Sequence, residues 1–160
     1  MKPITSELRT RIKINIKNKI PIDGLIENVD IKGEDLSWAI IPKLKRIDCN
    51  ISGCNFSHAI LGNDTNIFTL IRTNISNCNF EDTKFIGKVW MRSCNATNCN
   101  FKGADVSSVS YEHTDFSYSN FCGCIIRLDS RTNVGCKFDR TLVEELVKNW
   151  LNSKDILKNE

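Results

Sequence analysis

Residues 73–126 read TNISN CNFED TKFIG KVWMRS CNATN CNFKG ADVSS VSYEH TDFSY SNFCG CII, and almost the whole stretch divides into units of five residues. The third place of each unit holds a large apolar or aromatic residue, with Ala96 as an exception. The first place holds a small residue, and the second is often Asn or Asp. Agreement among so many consecutive units predicts a repeat architecture in which each unit packs on its neighbours.

The same spacing begins near residue 24 and continues to residue 61, with two irregular places. Arg46 stands where a large apolar residue is due and follows Pro42, so we expect a distorted corner at residues 42–46. Glu34 stands in a first place, where a small residue is expected. This predicts that one face is irregular or open.

The register breaks again at residues 62–71. Turn-forming residues open this segment, and an apolar cluster that includes Phe68 and Leu70 follows them. We interpret the segment as an insertion or a bulged coil. If its apolar side chains are exposed, they form a contact patch, and if they fold back they cover a face. Phe68 and Leu70 are therefore candidate interaction residues.

A third irregularity lies at residues 88–93. The next large central residue after Phe85 is Trp90, and one extra residue near Ser93 then restores the spacing, as in a β-bulge. Lys88 then occupies a first place, which is wrong for an interior position. We expect Lys88, Trp90 and Arg92 to form an irregular surface spot that acts as a contact site.

The N-terminal residues 1–23 form a basic arm or cap. Residues 1–20 carry six basic side chains and one acidic side chain, a net charge of +5, which leaves −2 for the other 140 residues. Apolar residues recur both every second and every fourth position here, and the alternation favours a strand at residues 11–17 over a helix. Such an arm can contact phosphate groups or an anionic protein surface, or it can cap the first coil.

The C-terminal residues 141–160 change to a helical period. An apolar stripe that includes Leu146, Trp150 and Leu151 lies opposite charged residues, which predicts an amphipathic α-helix. The chain therefore divides into the arm at residues 1–23, the repeat region at residues 24–140 and this helix.

The eight cysteines do not have the spacing of a metal site. Seven of them occupy first places, and no CxxC pair occurs, so we interpret them as buried, reduced thiols. His58 and His113 fall at outward places without a cleft, and no phosphate-binding glycine loop is present. The residues indicate no catalytic site, no metal and no cofactor.

The units resemble those of the pentapeptide-repeat family, and the resemblance covers most of residues 24–138. It implies an all-β solenoid, a right-handed quadrilateral parallel β-helix, with the C-terminal helix as its cap. In several members of the family that protect DNA gyrase, a C-terminal helical segment pairs two rods. By that resemblance Trp150 and Leu151 would form a homodimer here. The familiar members are not typical enzymes.

We therefore expect a non-enzymatic interaction or structural module that presents its faces to a protein partner or to itself. One alternative is a decoration component of a larger particle, such as a virion, anchored by the arm at residues 1–20. Another is a gyrase-binding DNA mimic, although mimicry requires a strongly acidic rod. Contact with nucleic acid is expected only at the basic arm. No apolar run could span a membrane and no signal peptide is visible, so the expected location is the cytoplasm or a virus particle assembled there.

Overall fold

The computed structural model describes residues 1–126 and 133–143, in which two helices precede six short to medium strands. The elements are α1 (Ser6–Lys17), α2 (Asp23–Ile26), β1 (Ile40–Ile41), β2 (Lys45–Ile47), β3 (Ile60–Ile71), β4 (Lys84–Arg92), β5 (Val109–Glu112) and β6 (Asn133–Val134). Within these residues, no helix is long and apolar enough to cross a bilayer.

Parallel pairing between successive coils builds the fold. Every strand pair is parallel, and isolated parallel bridges continue the pairing between the strands. Apart from a bridge between Lys2 and Val29, the pairings of the described residues fall into four ladders along the molecule, which confirms a parallel β-solenoid. The ladders run through Asn50, Asn74, Asn95, Asp115 and Lys137; Asp35, Asn55, Asn79, Asn100, Asn120 and Leu142; Ile40, Ile60, Lys84, Asp105 and Ile125; and Arg46, Leu70, Met91, Tyr111 and Asn133.

The third place of the units faces the interior. Four phenylalanines stack one above another, with ring centroids 5.2 Å apart for Phe56 and Phe80, 4.9 Å for Phe80 and Phe101, and 4.6 Å for Phe101 and Phe121. Each is at most 4% exposed. Removing such a side chain from water stabilises the fold by roughly 1.5–3 kcal/mol, so this ladder is a principal part of the core.

The first place of the units is a hydrogen-bond donor as well as a small filler. The thiol of Cys54 donates to the carbonyl oxygen of Ile31 in the preceding coil at 2.7 Å, and that of Cys99 donates to Ile75 at 3.0 Å. Thr83 bonds Phe56 in the same way at 2.7 Å. Cys, Ser and Thr all carry a short donor and can form this bond, whereas Ala39, Ala59 and Ala104 fill the same place without it.

The second place of the units forms the corners. Its Asn or Asp side chain accepts a hydrogen bond from the backbone N–H two residues later, as Asn55 does from Ser57 at 3.1 Å. Along one corner the amides also bond each other, from Asn79 to Asn55 at 3.2 Å and from Asn100 to Asn79 at 3.0 Å. These turns explain why Asn and Asp recur at this place.

The N-terminal segment is helical, so the expectation of a strand at residues 11–17 is wrong. Thr5 caps α1 by accepting a hydrogen bond from the N–H of Leu8 at 3.2 Å. Ile12 is 3% exposed and packs with the core, while Leu8 and Ile16 are partly buried against it. The helix prevails over the strand because its apolar face, spaced by four residues, covers the open end of the first coil.

Glu34 and Arg46, the two misplaced charges, both form hydrogen bonds at this end of the solenoid. The Glu34 carboxylate accepts hydrogen bonds from Arg9 of α1 at 2.6–3.1 Å. Arg46 lies inside β2, in register with Leu70, rather than in the distorted corner that we expected. Its guanidinium donates to the carbonyl oxygens of Ile26 (2.8 Å) and Val29 (3.1 Å). An inward arginine is accommodated because the first coil leaves these carbonyls without strand partners.

The two long strands, β3 and β4, contain the remaining irregularities of the five-residue repeat. Register between β3 and β4 jumps at Asn63 and Ile67, so three residues bulge out while the chain stays in the sheet. In β4 the extra residue lies between Phe85 and Val89, not near Ser93 as predicted, since Val89 and Met91 are both fully buried. A Cβ on Gly87, which has a φ of +74°, would collide with the Asn63 carbonyl oxygen, so glycine permits the two bulges to pack together.

The start of the predicted C-terminal segment continues the solenoid. Leu142 forms a parallel bridge with Asn120, and the Thr141 hydroxyl donates to the Phe116 carbonyl oxygen at 2.9 Å. The rest of the predicted helix, including Leu146, Trp150 and Leu151, lies outside the described residues.

Candidate interaction surfaces

Three of the candidate residues lie together on the outer side of β4. We call Lys88, Trp90 and Arg92 the Trp90 surface; all three are exposed, and the Trp90 residue retains 48% of its accessible area. They share one side because they alternate with the buried Val89 and Met91 along the strand. The single extra residue before Val89 therefore decides that the tryptophan faces outward.

The Trp90 surface borders a shallow recess of about 490 Å³. Ile71 of β3 and Ser110 of β5 contribute to its walls. Arg92 forms an ion pair with Glu112, so this cation is partly neutralised. An aromatic side chain beside a basic one can contact a protein surface through area and hydrogen bonds together.

The apolar cluster of residues 67–71 folds back into the core. Phe68 is 2% exposed and Leu70 is 1% exposed, and the Phe68 ring meets Phe85 edge to face with centroids 6.5 Å apart. The prediction that these two side chains contact a partner is therefore wrong. The bulge of Asp64, Thr65 and Asn66 takes up the extra chain length, so that the residues after it return to the inward register.

The eight cysteines are free thiols, and two of the buried ones, Cys99 and Cys136, are unsuited to nucleophilic chemistry. None forms a disulfide, and all lie within the described residues. Burial raises the pKa of Cys99 to about 12 and that of Cys136 to about 11. A thiol that stays protonated at neutral pH is a poor nucleophile and a poor metal ligand. Within residues 1–126 and 133–143, no three His, Cys, Asp or Glu side chains could hold a metal ion together.

A second surface lies where α1 meets the first three coils, and sequence reasoning missed it. Trp38 is 64% exposed and stacks on His58, with ring centroids 4.3 Å apart and planes 20° apart. The His58 Nδ1 lies 3.7 Å from a carboxylate oxygen of Asp82. These three residues occupy equivalent turn positions in successive coils, since the N–H of each bonds the next coil in the same way.

This second surface is a groove of about 830 Å³. We call it the Trp38 groove. Three partly buried isoleucines contribute to its lining, Ile16 from α1 with Ile40 and Ile60 from the solenoid. Exposed lysines also line it: Lys17, Lys19 and Lys84. The sequence contained one indication of this groove. Trp38 occupies a turn position at which the equivalent residues of later coils are Gly103 and Gly123.

No family model matches the chain, and no curated protein matches its sequence. Among solved structures, the chain is similar to a pentapeptide-repeat protein from the thylakoid lumen of Arabidopsis thaliana, at 13% identity and a TM-score of 0.41 over 82% of this chain and 79% of that chain. It is also similar to Rfr23, a pentapeptide-repeat protein from the cyanobacterium Cyanothece, at 13% identity and a TM-score of 0.25 over 71% of this chain and 86% of that chain. QnrB1, a plasmid-mediated fluoroquinolone resistance protein, matches at 16% identity and a TM-score of 0.17 over 81% of this chain and 85% of that chain. The five-residue repeat and the parallel β-solenoid that it forms are consistent with the pentapeptide-repeat family.

Proposed function

We propose that this protein is a non-enzymatic interaction module that presents the outer faces of a β-solenoid to a protein partner. The observation that carries the proposal is the Trp90 surface, where a half-exposed tryptophan lies between two cations on the outer side of β4. An exposed tryptophan gains little from the fold of its own chain. Tryptophan and arginine are the side chains that most often dominate binding energy at protein interfaces.

Site-specific photo-crosslinking in the native cell tests this function. A benzoylphenylalanine at position 90 should yield a discrete adduct, and the Lys88→Ala and Arg92→Ala variants should weaken it. The matched control places the same probe at Lys32, which is exposed in the first coil. Equal adducts from both positions, or none from position 90, would contradict the proposal.

The alternative of an anchored particle component depends on the N-terminal segment. Deleting residues 1–20 would also uncover the core, because Ile12 is buried under α1. Reversing charge at Arg11 and Lys13, which are exposed, removes the basic surface without removing the helix. If the particle hypothesis holds, the doubly reversed protein should stay folded and lose assembly.

The alternative of a gyrase-binding DNA mimic is not favoured by charge. The chain beyond residue 20 has a net charge of −2, and two of its arginines, Arg72 and Arg92, pair with carboxylates on the outer surface. A duplex mimic needs an excess of negative charge along its length. A supercoiling assay with and without a quinolone is the test, and protection of gyrase would establish this alternative.

We further infer that the solenoid is quadrilateral and right-handed, as the family resemblance implies. The four ladders of parallel pairing support four faces to a coil. A crystal structure with a different number of faces, or with left-handed winding, would contradict this inference.

A further inference from the structure

Trp38 combines an unfavourable backbone conformation with a largely exposed side chain, and its contact with His58 covers only one face of the ring. Its φ of +64° lies in the left-handed region, which bulky side chains rarely adopt, and 64% of the residue is exposed. The equivalent turn positions of later coils hold Gly103 and Gly123, with φ values of +68° and +72°. Glycine has no such conformational cost, so the tryptophan is not required by the turn.

The Trp38 groove offers an apolar surface beside this ring. Ile16, Ile40 and Ile60 are partly buried, so each keeps some apolar area accessible to a ligand. One face of the Trp38 ring is already covered by His58. The groove therefore suits one large apolar side chain placed beside the tryptophan rather than a series of stacked rings.

The charge of the groove indicates an anionic partner. Within residues 1–126 and 133–143, the ion pairs of basic side chains involve Arg9, Arg72, Arg92, Lys102 and the two histidines, and none involves the lysines of the groove. Three lysine charges face a single carboxylate, that of Asp82, among the lining residues. Uncompensated lysines at the rim of an apolar site attract a carboxylate-bearing ligand and raise its association rate.

We propose that the Trp38 groove binds an acidic peptide segment of a protein partner, with a large apolar side chain against Trp38 and carboxylates against Lys17, Lys19 and Lys84. The proposal rests on the proposed function, and it adds a second contact surface and the chemistry of its ligand. A nucleic acid fits less well, because His58 already covers one face of the Trp38 ring and the isoleucines offer no further ring on which successive bases could stack.

Fluorescence anisotropy with a labelled synthetic peptide tests the proposal. The probe is an acidic peptide of alternating Asp and Glu that contains one Leu and one Trp, and the control probe has every acidic residue replaced by Lys. We expect the acidic probe alone to bind, with an affinity that falls at high salt. Trp38→Gly and Lys84→Glu should each weaken binding at least about tenfold, as the loss of a dominant contact does.

Trp38→Gly is a suitable variant because glycine is the residue that later coils use at this turn. It should keep the circular dichroism spectrum and melt no earlier than the parent protein. Tyr118→Gly is the matched control: Tyr118 is 55% exposed at a φ of +62°, but it lies on another corner. This control should leave peptide binding unchanged.

Several results would overturn the proposal: no binding of the acidic peptide, equal binding of the lysine peptide, unchanged affinity of Trp38→Gly, or preferential binding of an oligothymidylate. Cross-linking at position 90 is a separate readout. If it persists while the groove binds no peptide, the groove proposal fails and the proposed function stands. If both fail, the proposed function fails as well.

Discussion

At the scale of single residues, the first place of each unit explains the unusual use of cysteine. Its thiol fills a small space and donates to a carbonyl oxygen of the preceding coil, as from Cys54 to Ile31 and from Cys124 to Phe101, both at 2.7 Å. Periodicity predicted that these thiols are buried, which holds for Cys54, whereas Cys124 is only partly buried. Periodicity did not predict the hydrogen bonds, because the sequence of one unit does not show which carbonyl oxygen of the preceding coil lies next to the thiol.

The hydroxyl of Thr83 provides a direct test of this bond. Thr83 is fully buried and donates to Phe56. Thr83→Val keeps the shape and removes the donor, so it should lower the free energy of unfolding by about 1–2 kcal/mol. Thr83→Cys, which restores the residue type of other coils, should cost less. Chemical denaturation measures both, and equal losses would show that the donor is unimportant.

The raised pKa values of the buried thiols predict a dependence on alkaline pH. The pKa is about 12 for Cys99 and about 11 for Cys136 in the folded protein, against about 8.5 in an unfolded chain. The unfolded state therefore releases these protons first. Stability should be full below about pH 8.5 and should fall as the pH rises towards 11–12. Urea unfolding from pH 7 to pH 11 checks this, and Cys99→Ser with Cys136→Ser should flatten the slope.

At the scale of elements, helix α1 closes the N-terminal end of the solenoid. A coil is stable only against another coil or a cap, since its apolar edge is otherwise exposed. The helix supplies this cover with Ile12, and its Arg9 pairs with Glu34. The sequence of this segment contained both the two-residue period of a strand and the four-residue spacing of a helix. The choice between them depended on an apolar surface that exists only once the coils have folded.

Two substitutions on α1 separate the role of this cap from helix formation. Ile12→Ala should lower the free energy of unfolding by about 3 kcal/mol, because Ile12 is 3% exposed against the core. Ile14→Ala should change it by less than about 0.5 kcal/mol, because Ile14 is 52% exposed on the same helix. Thermal and urea denaturation compare the two, and similar losses would mean that α1 is not a cap.

At the scale of the whole molecule, two surfaces of the solenoid each present an exposed tryptophan. The Trp90 surface follows from one extra residue in β4, and the Trp38 groove follows from the docking of α1. Both place an exposed tryptophan beside basic side chains. The two surfaces therefore offer separate contacts to protein partners.

Self-association through the C-terminal segment stays a prediction at this scale. The apolar residues after Val143 include Trp150, and the family resemblance implies that this segment would pair two chains. Sedimentation equilibrium should give a dimer for the parent protein and a monomer for Trp150→Ala. Trp90→Ser is the control and should leave the mass at that of the dimer. A monomeric parent protein, or an unchanged mass for Trp150→Ala, would refute the prediction.

The sequence by itself determined the solenoid, the inward residues of its regular units and the absence of a cysteine metal motif. These follow from a local period that each unit repeats, so many independent units agree. Tertiary structure alone decided that residues 6–17 form a helix, that Phe68 and Leu70 are buried, that Trp90 faces outward and that Trp38 borders a groove. At the first three of these places the period is absent or broken, whereas at Trp38 the five-residue spacing is intact and the groove arises from the docking of α1. The conformation is then set by the neighbouring coil on which the chain packs, a contact that lies many residues away in sequence.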